Sequence, residues 1–352
     1  MPDMDMVIRR NDYSLSPEQE EVRDLFADFF KNEVPSARVR AAEPVGFDQR
    51  LWKQLADMGA ISMGLPESEG GAGSSLVELT LVAEQYGRSL APVPLVEATV
   101  AARVLLKAGA DAALIAAVGS GERIISIALF PDNGKPQLVP AGAVATGVIV
   151  LDGEELVLVG RPSPPPHVKN QGSAPLAWWD FSEGSRTVLA GGERARALYA
   201  TALKEWKLLT AAALAGCGDV ATKMGVDYAK VRMAFGQPIG TFQAVANALV
   251  DAAIGVEGAR HLAWKAAWFL ENEPEAETQL VPMAYSYACQ AATRAVTTGV
   301  HVHGGTGFMI ETDITLYFLR VKAWSVIAGD PRSELLAIAD ALFADAPVAV
   351  PV

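Results

Sequence analysis

The sequence has little cysteine, little histidine and a deficit of basic side chains. Two cysteines, Cys217 and Cys289, occur in 352 residues, and both lie in alanine-rich stretches with helical spacing. We therefore predict buried free thiols in a reducing compartment, the cytoplasm, rather than a disulfide framework. Lys and Arg number 29 against 41 Asp and Glu, which gives a net charge of −12. An acidic chain without a basic run repels the phosphate backbone, which argues against nucleic-acid binding.

Long apolar runs are also missing. No stretch of about 18 residues is both apolar and free of charge, so no membrane-spanning helix is expected. The N-terminal residues carry Asp3, Asp5, Arg9 and Arg10 and lack the apolar core of a signal peptide. What the chain does have is 51% hydrophobic residues, many of them alanine. This composition supports a large core, two or three domains, and apolar surface left over for an oligomer.

Hydrophobic periodicity divides the chain into three parts. Ser16, Pro17 and Gln19 form a capped helix start, and helical spacing continues through 47–58, 76–87, 95–108 and 111–118. β-Type runs then occur at 123–129 and 143–160, with Asp152-Gly153 as a hairpin turn signal. Residues Trp178, Trp179 and Phe181 are also assigned to a strand or its edge.

The remainder of the chain has the 3.6-residue period of helices. Helical segments are predicted at 198–217, 219–231, 241–270, 274–299, 314–323 and 331–343. The fold prediction is therefore mainly α with a small central β domain. Its domains are an N-terminal helical domain at 1–122, a short β domain at 123–192 and a four-helix bundle at 193–352.

The segment from Arg232 to Gln243 combines residue types that suit a dinucleotide. Its sequence is RMAFGQPIGTFQ. Arg232 can clamp a pyrophosphate through its planar set of donors, and Phe235 can pack against an adenine or a ring edge. Gln243 offers a donor and an acceptor, and the Gly-x-Pro step places a tight turn between two helices. Each residue alone fits a generic helix connection, but the combination favours a binding segment.

This segment resembles the flavin-contacting signature of acyl-CoA dehydrogenases. That signature is Arg, two residues, Phe-Gly, one residue, Pro-Ile, two residues and Phe-Gln, and every fixed position matches here. The Lys-His pair that is common in the following helix is Ala246-Asn247 in this chain. The resemblance implies FAD as the cofactor.

A glycine turn further along carries a second resemblance. His301 is followed by His303, Gly304 and Gly305, and the run is similar to the family's Gln-x-x-Gly-Gly-x-Gly loop, with His301 in place of Gln. In the family this loop reaches the flavin diphosphate and adenosine from the neighbouring subunit. Adjacent glycines let backbone amides approach phosphate oxygens. The two histidines could instead suggest a metal, but no further ligand follows at a suitable spacing.

A third resemblance lies near the N-terminus. Residues 65–73 read LPESEGGAG, and residues 84–88 read EQYGR. They are similar to the family's Pro-Glu-x-x-Gly-Gly-x-Gly loop and to the helix end that follows it. The family fold implied by the three segments has an N-terminal helical domain, a middle β domain and a C-terminal bundle.

The segments that would hold the flavin ring and the thioester depart from the family. The family's Thr-Glu-Pro-x-x-Gly-Ser segment is replaced by 129–134, which lacks the Gly-Ser step, and 178–180 is not its Trp-x-Thr strand. The usual catalytic Glu position holds Ala328 or Gly329. Asp330 stands next to it but precedes Pro331, where it could cap the last helix.

Some family members carry the base one helix before the Arg232 segment. Trp206 occupies that position here, and Glu205 lies one residue off, which is about 100° of rotation on a helix. Glu205 is therefore either a relocated base or a solvated helix residue, with the solvated residue favoured. The family reaction needs a carboxylate within reach of the proton next to the thioester carbonyl, with flavin on the opposite side of the substrate.

The whole pattern resembles one subunit of the actinobacterial α2β2 acyl-CoA dehydrogenases, which act on CoA thioesters of steroid side chains. In those proteins each heterodimer shares one FAD, and one subunit type has a degenerate site. The resemblance implies a full-length partner subunit and an electron-transfer flavoprotein as electron acceptor. Two alternatives remain: a homotetrameric acyl-CoA dehydrogenase whose base is Glu205 or Asp330, and a non-redox structural or acyl-CoA-binding relative.

Overall fold

A computed structural model describes residues 12–43 and 45–343 of the chain. Its N-terminal part is helical, and the first helix begins where the capping pattern predicts. The Ser16 hydroxyl accepts the amide of Gln19 at 3.3 Å, and the Gln19 side chain accepts the amide of Ser16 at 3.0 Å. The helices of this part are α1 (Pro17–Glu33), α2 (Ser36–Ala42), α3 (Gln49–Asp57), α4 (Leu76–Ser89), α5 (Leu95–Ala108) and α6 (Ala112–Gly119).

A small β region follows. Its strands are β1 (Ile125–Ile127), β2 (Gln137–Val139), β3 (Gly147–Asp152), β4 (Glu155–Gly160), β5 (Ala177–Trp179) and β6 (Ser185–Gly191). One sheet has the order β1-β3-β4-β6, in which only β1 and β3 are parallel, and β2 pairs with β5 in a second sheet. The predicted hairpin at Asp152-Gly153 is confirmed, since Asp152 pairs with Glu155 and Gly153 has a positive φ of 55°.

A single 40-residue helix, α7 (Gly192–Val231), begins the C-terminal part. The prediction of two separate helices that meet near Gly218 is wrong. A Cβ on Gly218 would lie 2.8 Å from Cγ2 of Val256 and 3.3 Å from Cα of Ala292. The glycine therefore serves close packing between helices and does not interrupt α7.

The other bundle helices are α8 (Gln243–Asn272), α9 (Leu280–His303), α10 (Asp313–Trp324) and α11 (Glu334–Phe343). Helix α9 begins six residues later than predicted from the periodicity. Helices α7, α8 and α9 pack against one another, and α10 and α11 pack on α9.

Both predicted free thiols are confirmed: Cys217 and Cys289 are buried, and burial raises the pKa of each thiol to about 12. Among the described helices, none combines the length and the hydropathy that a membrane span requires.

Candidate functional site

The connection between α7 and α8 is an exposed two-strand hairpin. Strands β7 (Met233–Ala234) and β8 (Gln237–Pro238) are joined by Phe235 and Gly236, whose φ angles are 52° and 82°. Two successive positive φ values are what a type I′ hairpin turn requires, and a phenylalanine rarely adopts that conformation. Phe235 is 95% exposed, and its ring lies edge-on to Phe242, with ring centroids 6.1 Å apart.

The other two motif side chains are also exposed. Arg232 is exposed at the C-cap of α7, and no carboxylate of the described residues pairs with it. Its carbonyl oxygen accepts the amide of Ile239 at 2.8 Å, which ties the hairpin back to α7. Gln243 is exposed at the first position of α8. The hairpin therefore presents a guanidinium, an aromatic ring and a carboxamide on one short connection.

The glycine turn follows the end of α9. Gly304 has φ 61° and ψ −137°, a conformation open mainly to glycine, and a Cβ on Gly304 or Gly305 would meet nothing within 4 Å. The packing of this chain thus does not explain the small residues. His301 is exposed, whereas His303 stacks on Tyr228 at 4.4 Å. Within 12–43 and 45–343 there is no group of three or more His, Cys, Asp or Glu residues arranged to hold a metal.

The hairpin and the glycine turn project from the same end of the bundle. A small apolar cluster of Ala229, Leu249 and Val302, with Ile239 packed against it, joins the end of α7, the first turns of α8 and the end of α9. The fold thus brings together two segments that are about 60 residues apart in sequence. They form one accessible surface, which we call the exposed arm (Arg232, Phe235, Gln243, His301 and Gly304–Gly305).

A narrow cavity lies where the N-terminal helices, the β region and the bundle meet. Its volume is about 50 Å³, far below the roughly 300–1,000 Å³ of ordinary ligand pockets. Aromatic side chains occupy much of the junction. Tyr86 and Trp324 stack with ring centroids 5.4 Å apart and planes within 4°, and Trp206 lines the same space. We call this junction the cleft.

Glu97 is a cleft residue that sequence reasoning missed. It lies on α5, lines the cavity, and accepts a hydrogen bond from Nε1 of Trp206 at 3.2 Å. Burial raises the pKa of Glu97, although the hydrogen bond from Trp206 opposes the shift, so the carboxyl is held toward its protonated form. The only signal in the sequence is a lone acid within the apolar run from Leu95 to Ala102.

Glu205 does not reach the cleft. Its side chain is only 2% exposed, so the expectation of a solvated helix residue is wrong. Helix α5 packs against α7 and supplies two cations: Nε of Arg103 lies 2.9 Å from one carboxylate oxygen of Glu205, and Nζ of Lys107 lies 2.6 Å from the other. Burial pushes the pKa of Glu205 upward, but Arg103 and Lys107 outweigh it and hold the pKa below its ordinary value. A carboxylate held in this way is a poor proton acceptor.

Asp330 is a cap residue. One oxygen accepts the amide of Arg332 at 2.9 Å and the other lies 2.6 Å from Nη2 of Arg332, which fixes the turn Pro331–Ser333 before α11. The hydrogen bond from Arg332 lowers the pKa of Asp330. Its neighbour Gly329 faces Phe130, since a Cβ built on Gly329 would lie 3.9 Å from that ring. Neither sequence candidate for a base lines the cavity.

Comparisons with known proteins agree with this architecture. The model "Acyl-CoA dehydrogenase, N-terminal domain" matches residues 16–114, and "Acyl-CoA dehydrogenase, C-terminal domain" matches residues 197–343. Acyl-CoA dehydrogenase FadE27 of Mycobacterium tuberculosis is 30% identical over 329 residues, which are 82% of this chain and 87% of FadE27.

Two solved structures share the fold at 27% sequence identity. A chain of the ChsE4–ChsE5 complex from Mycobacterium tuberculosis superposes with a TM-score of 0.85 and covers 96% of this chain and 100% of its own length. A chain of the Tcur3481–Tcur3483 steroid ACAD G363A variant superposes with a TM-score of 0.81 and covers 94% of this chain and 98% of its own length.

Proposed function

The chain belongs to the acyl-CoA dehydrogenase family, and on that premise we propose that it is the non-catalytic subunit of a heteromeric, FAD-dependent acyl-CoA dehydrogenase. In this proposal it lends its exposed arm to a FAD whose ring lies in a full-length partner subunit. The complex as a whole would dehydrogenate the α,β bond of an acyl-CoA thioester. The observation that carries the proposal is the combination, in one chain, of an exposed arm and a filled cleft.

The exposed arm fits the polar half of FAD. Arg232 has no carboxylate partner among the described residues, so its five donors are available to a diphosphate. The ring of Phe235 is 95% exposed, so its faces are open to an adenine or a ring edge. The bare backbone at Gly304 and Gly305 lets phosphate or ribose oxygens approach closely, and Gln243 and His301 add hydrogen-bonding groups.

The cleft has no room for the other half of FAD, the isoalloxazine ring. An isoalloxazine ring and a thioester both need room, and a cavity of about 50 Å³ has room for neither. Tyr86, Trp206 and Trp324 occupy the junction. Phe130 lies next to Gly329, one of the two positions at which the family resemblance would place the base. The chain thus has cofactor-binding groups on its exposed arm, but its cleft has no space for the flavin ring and the thioester.

Bound FAD would supply the hydride acceptor, and the residues of this chain would only hold it. Glu97 is the carboxyl that lines the cavity, and its raised pKa and its hydrogen bond from Trp206 make it a buried acid within a filled space. Glu205 and Asp330 are each held in the ionised form by cationic partners outside the cavity. Proton abstraction is therefore assigned to the partner subunit.

The relatives support a proposal for the substrate class. Of the two solved structures at 27% identity, one is a steroid ACAD and the other is a complex of two differently named subunits. We propose a CoA thioester of a steroid side chain as the substrate of the complex, with an electron-transfer flavoprotein as electron acceptor.

The test compares the chain alone with the chain co-expressed with a full-length family member that has an intact catalytic Glu. We expect the lone chain to be folded but colourless, without the visible absorbance of flavin and without turnover. The reason is that this chain has no pocket for the isoalloxazine ring of FAD. The co-purified pair should be yellow and active. A lone chain that carries stoichiometric FAD and oxidises an acyl-CoA would contradict the proposal and favour the homotetrameric alternative.

A further inference from the structure

We propose that the segment from Asn170 to Leu176 is a plug that keeps the cleft of this chain shut, and that Arg320 is the latch that holds it. The inference rests on the proposed function, because it explains how one subunit is kept from competing with its partner for the flavin ring and the acyl group. It assigns a role to a loop of the β region and to a buried cation that the exposed arm does not involve.

The latch is a buried guanidinium that forms no salt bridge with any described carboxylate. Arg320 lies on α10 and is 5% exposed. Its Nη1 instead donates to the carbonyl oxygens of Gly172 and Ser173. A buried cation is normally matched by a carboxylate, so hydrogen bonds to two successive carbonyls of one loop are a specific attachment of that loop to α10. Arg320 also lines the cavity, next to the segment that it holds.

Steric fit clamps the plug from two sides. A Cβ on Gly172 would lie 2.1 Å from Cβ of Ala323, so only a glycine allows the segment to lie this close to α10. On the opposite side, a Cβ on Gly46 would lie 1.8 Å from the carbonyl oxygen of Ser173. Ser173 itself has a positive φ of 44°, which is unfavourable for serine and indicates that its surroundings determine its conformation. The plug is therefore wedged between the N-terminal part and the bundle.

The plug is also ordered within itself. The Asn170 side chain donates to the carbonyl of Ala174 at 2.8 Å and accepts the Ala174 amide at 3.0 Å, which closes the loop on itself. An open groove of about 370 Å³ lies on its outer side, and Ala174, Leu176, Trp324 and Ile327 line both the groove and the inner cavity. Displacing the plug would join the two spaces.

The test wedges the plug away from α10 with a single methyl group. Gly172→Ala places a Cβ against Ala323, and we expect amide hydrogen exchange in residues 168–177 to become about tenfold faster or more while α7 and α9 remain protected. Gly191→Ala is the matched control, because a Cβ there meets nothing within 4 Å and the φ of that residue is −127°. The double variant Gly172→Ala with Ala323→Gly removes the opposing methyl and should restore slow exchange.

Opening is read out independently with 1-anilinonaphthalene-8-sulfonate, an apolar anion that fits a cleft with a buried guanidinium. Gly172→Ala should bind about one equivalent, whereas wild type, Gly191→Ala and the double variant bind none, with unchanged near-ultraviolet circular dichroism. Arg320→Gln removes the latch without a steric clash and should give the same faster exchange. Because this variant also lacks the cation that attracts the dye, dye binding is read only in Gly172→Ala. The proposal would be overturned if amide hydrogen exchange in residues 168–177 is unchanged in both Gly172→Ala and Arg320→Gln. It would also be overturned if exchange rises equally throughout the chain. FAD retention by the co-purified pair is measured separately, so failure of the plug and failure of the proposed function are distinguishable.

Discussion

Replacing Arg232 with alanine in the assembled complex is expected to weaken FAD binding about 10- to 150-fold, because hydrogen bonds to a charged group contribute roughly 1.5–3 kcal/mol. The chain itself should fold normally, since Arg232 is exposed and its side chain pairs with no described carboxylate. The measurement is the dissociation constant of FAD for the reconstituted pair, by titration of the apo-complex and flavin fluorescence. Arg232→Lys should give an intermediate loss, because it keeps the charge but not the planar set of donors.

The matched control is Arg50→Ala. Arg50 is also an exposed arginine with no described ion pair, but it lies on α3, outside the exposed arm. Its removal lowers the positive charge of the chain by the same amount and should leave FAD affinity unchanged. If the wild-type and Arg232→Ala complexes bind FAD with equal affinity, the exposed arm does not contact the cofactor. That result would favour the non-redox alternative.

Glu205→Gln is expected to destabilise the folded chain by about 3 kcal/mol at neutral pH, because breaking a buried ion pair leaves its partner charges uncompensated. This value lies at the lower end of the range for a broken buried ion pair, because Lys107 is 39% exposed and can be hydrated. Arg103 is only 12% exposed, so its charge would be left buried. The measurement is chemical denaturation of the two proteins, compared by midpoint at equal slope.

The pH dependence of that difference has a definite sign. The folded-state pKa of Glu205 is depressed, with burial opposed by Arg103 and Lys107, so its contribution is fully present above the unfolded pKa of about 4.3. The contribution is lost as the pH falls through the lower folded-state pKa. The stability gap between wild type and Glu205→Gln should therefore be constant from pH 8 to about pH 5 and narrow below about pH 4.

Asp57→Asn is the control for the loss of a carboxylate. Asp57 pairs with Lys53 at 2.9 Å on the surface of α3, where the two side chains are 63% and 75% exposed, and such pairs contribute about 0–1 kcal/mol. A Glu205→Gln variant that is as stable as Asp57→Asn, yet has lost turnover in the lone chain, would instead identify Glu205 as a relocated base.

The exposed arm could be predicted from sequence because its chemistry is local. Arg232, Phe235 and Gln243 lie within twelve residues, and Gly236 marks the turn between them. The strained φ of Phe235 was not predictable, since nothing in the residue type favours a left-handed conformation. That the glycine turn joins the hairpin at one end of the bundle depends on the apolar cluster around Val302, which is a tertiary contact.

The closed cleft could not be predicted because its determinants are far apart in sequence. Glu205 appeared solvated because its partners, Arg103 and Lys107, stand about a hundred residues earlier on another helix. Gly218 suggested a break in α7, but its missing side chain instead lets α8 and α9 pack closely against α7. Likewise, the attachment of residues 172–173 to Arg320 joins the loop between β4 and β5 to a helix nearly 150 residues away.

The most direct test of the central claim is the ratio of FAD to protein in the purified complex. The chain and its full-length partner are co-purified, the molar amounts of both polypeptides are determined by amino-acid analysis, and FAD is released and quantified by its absorbance. A FAD site shared between one catalytic and one non-catalytic subunit predicts one FAD for each pair of polypeptides. Two FAD molecules for each pair would mean that this chain holds a complete flavin site of its own, and would contradict the account.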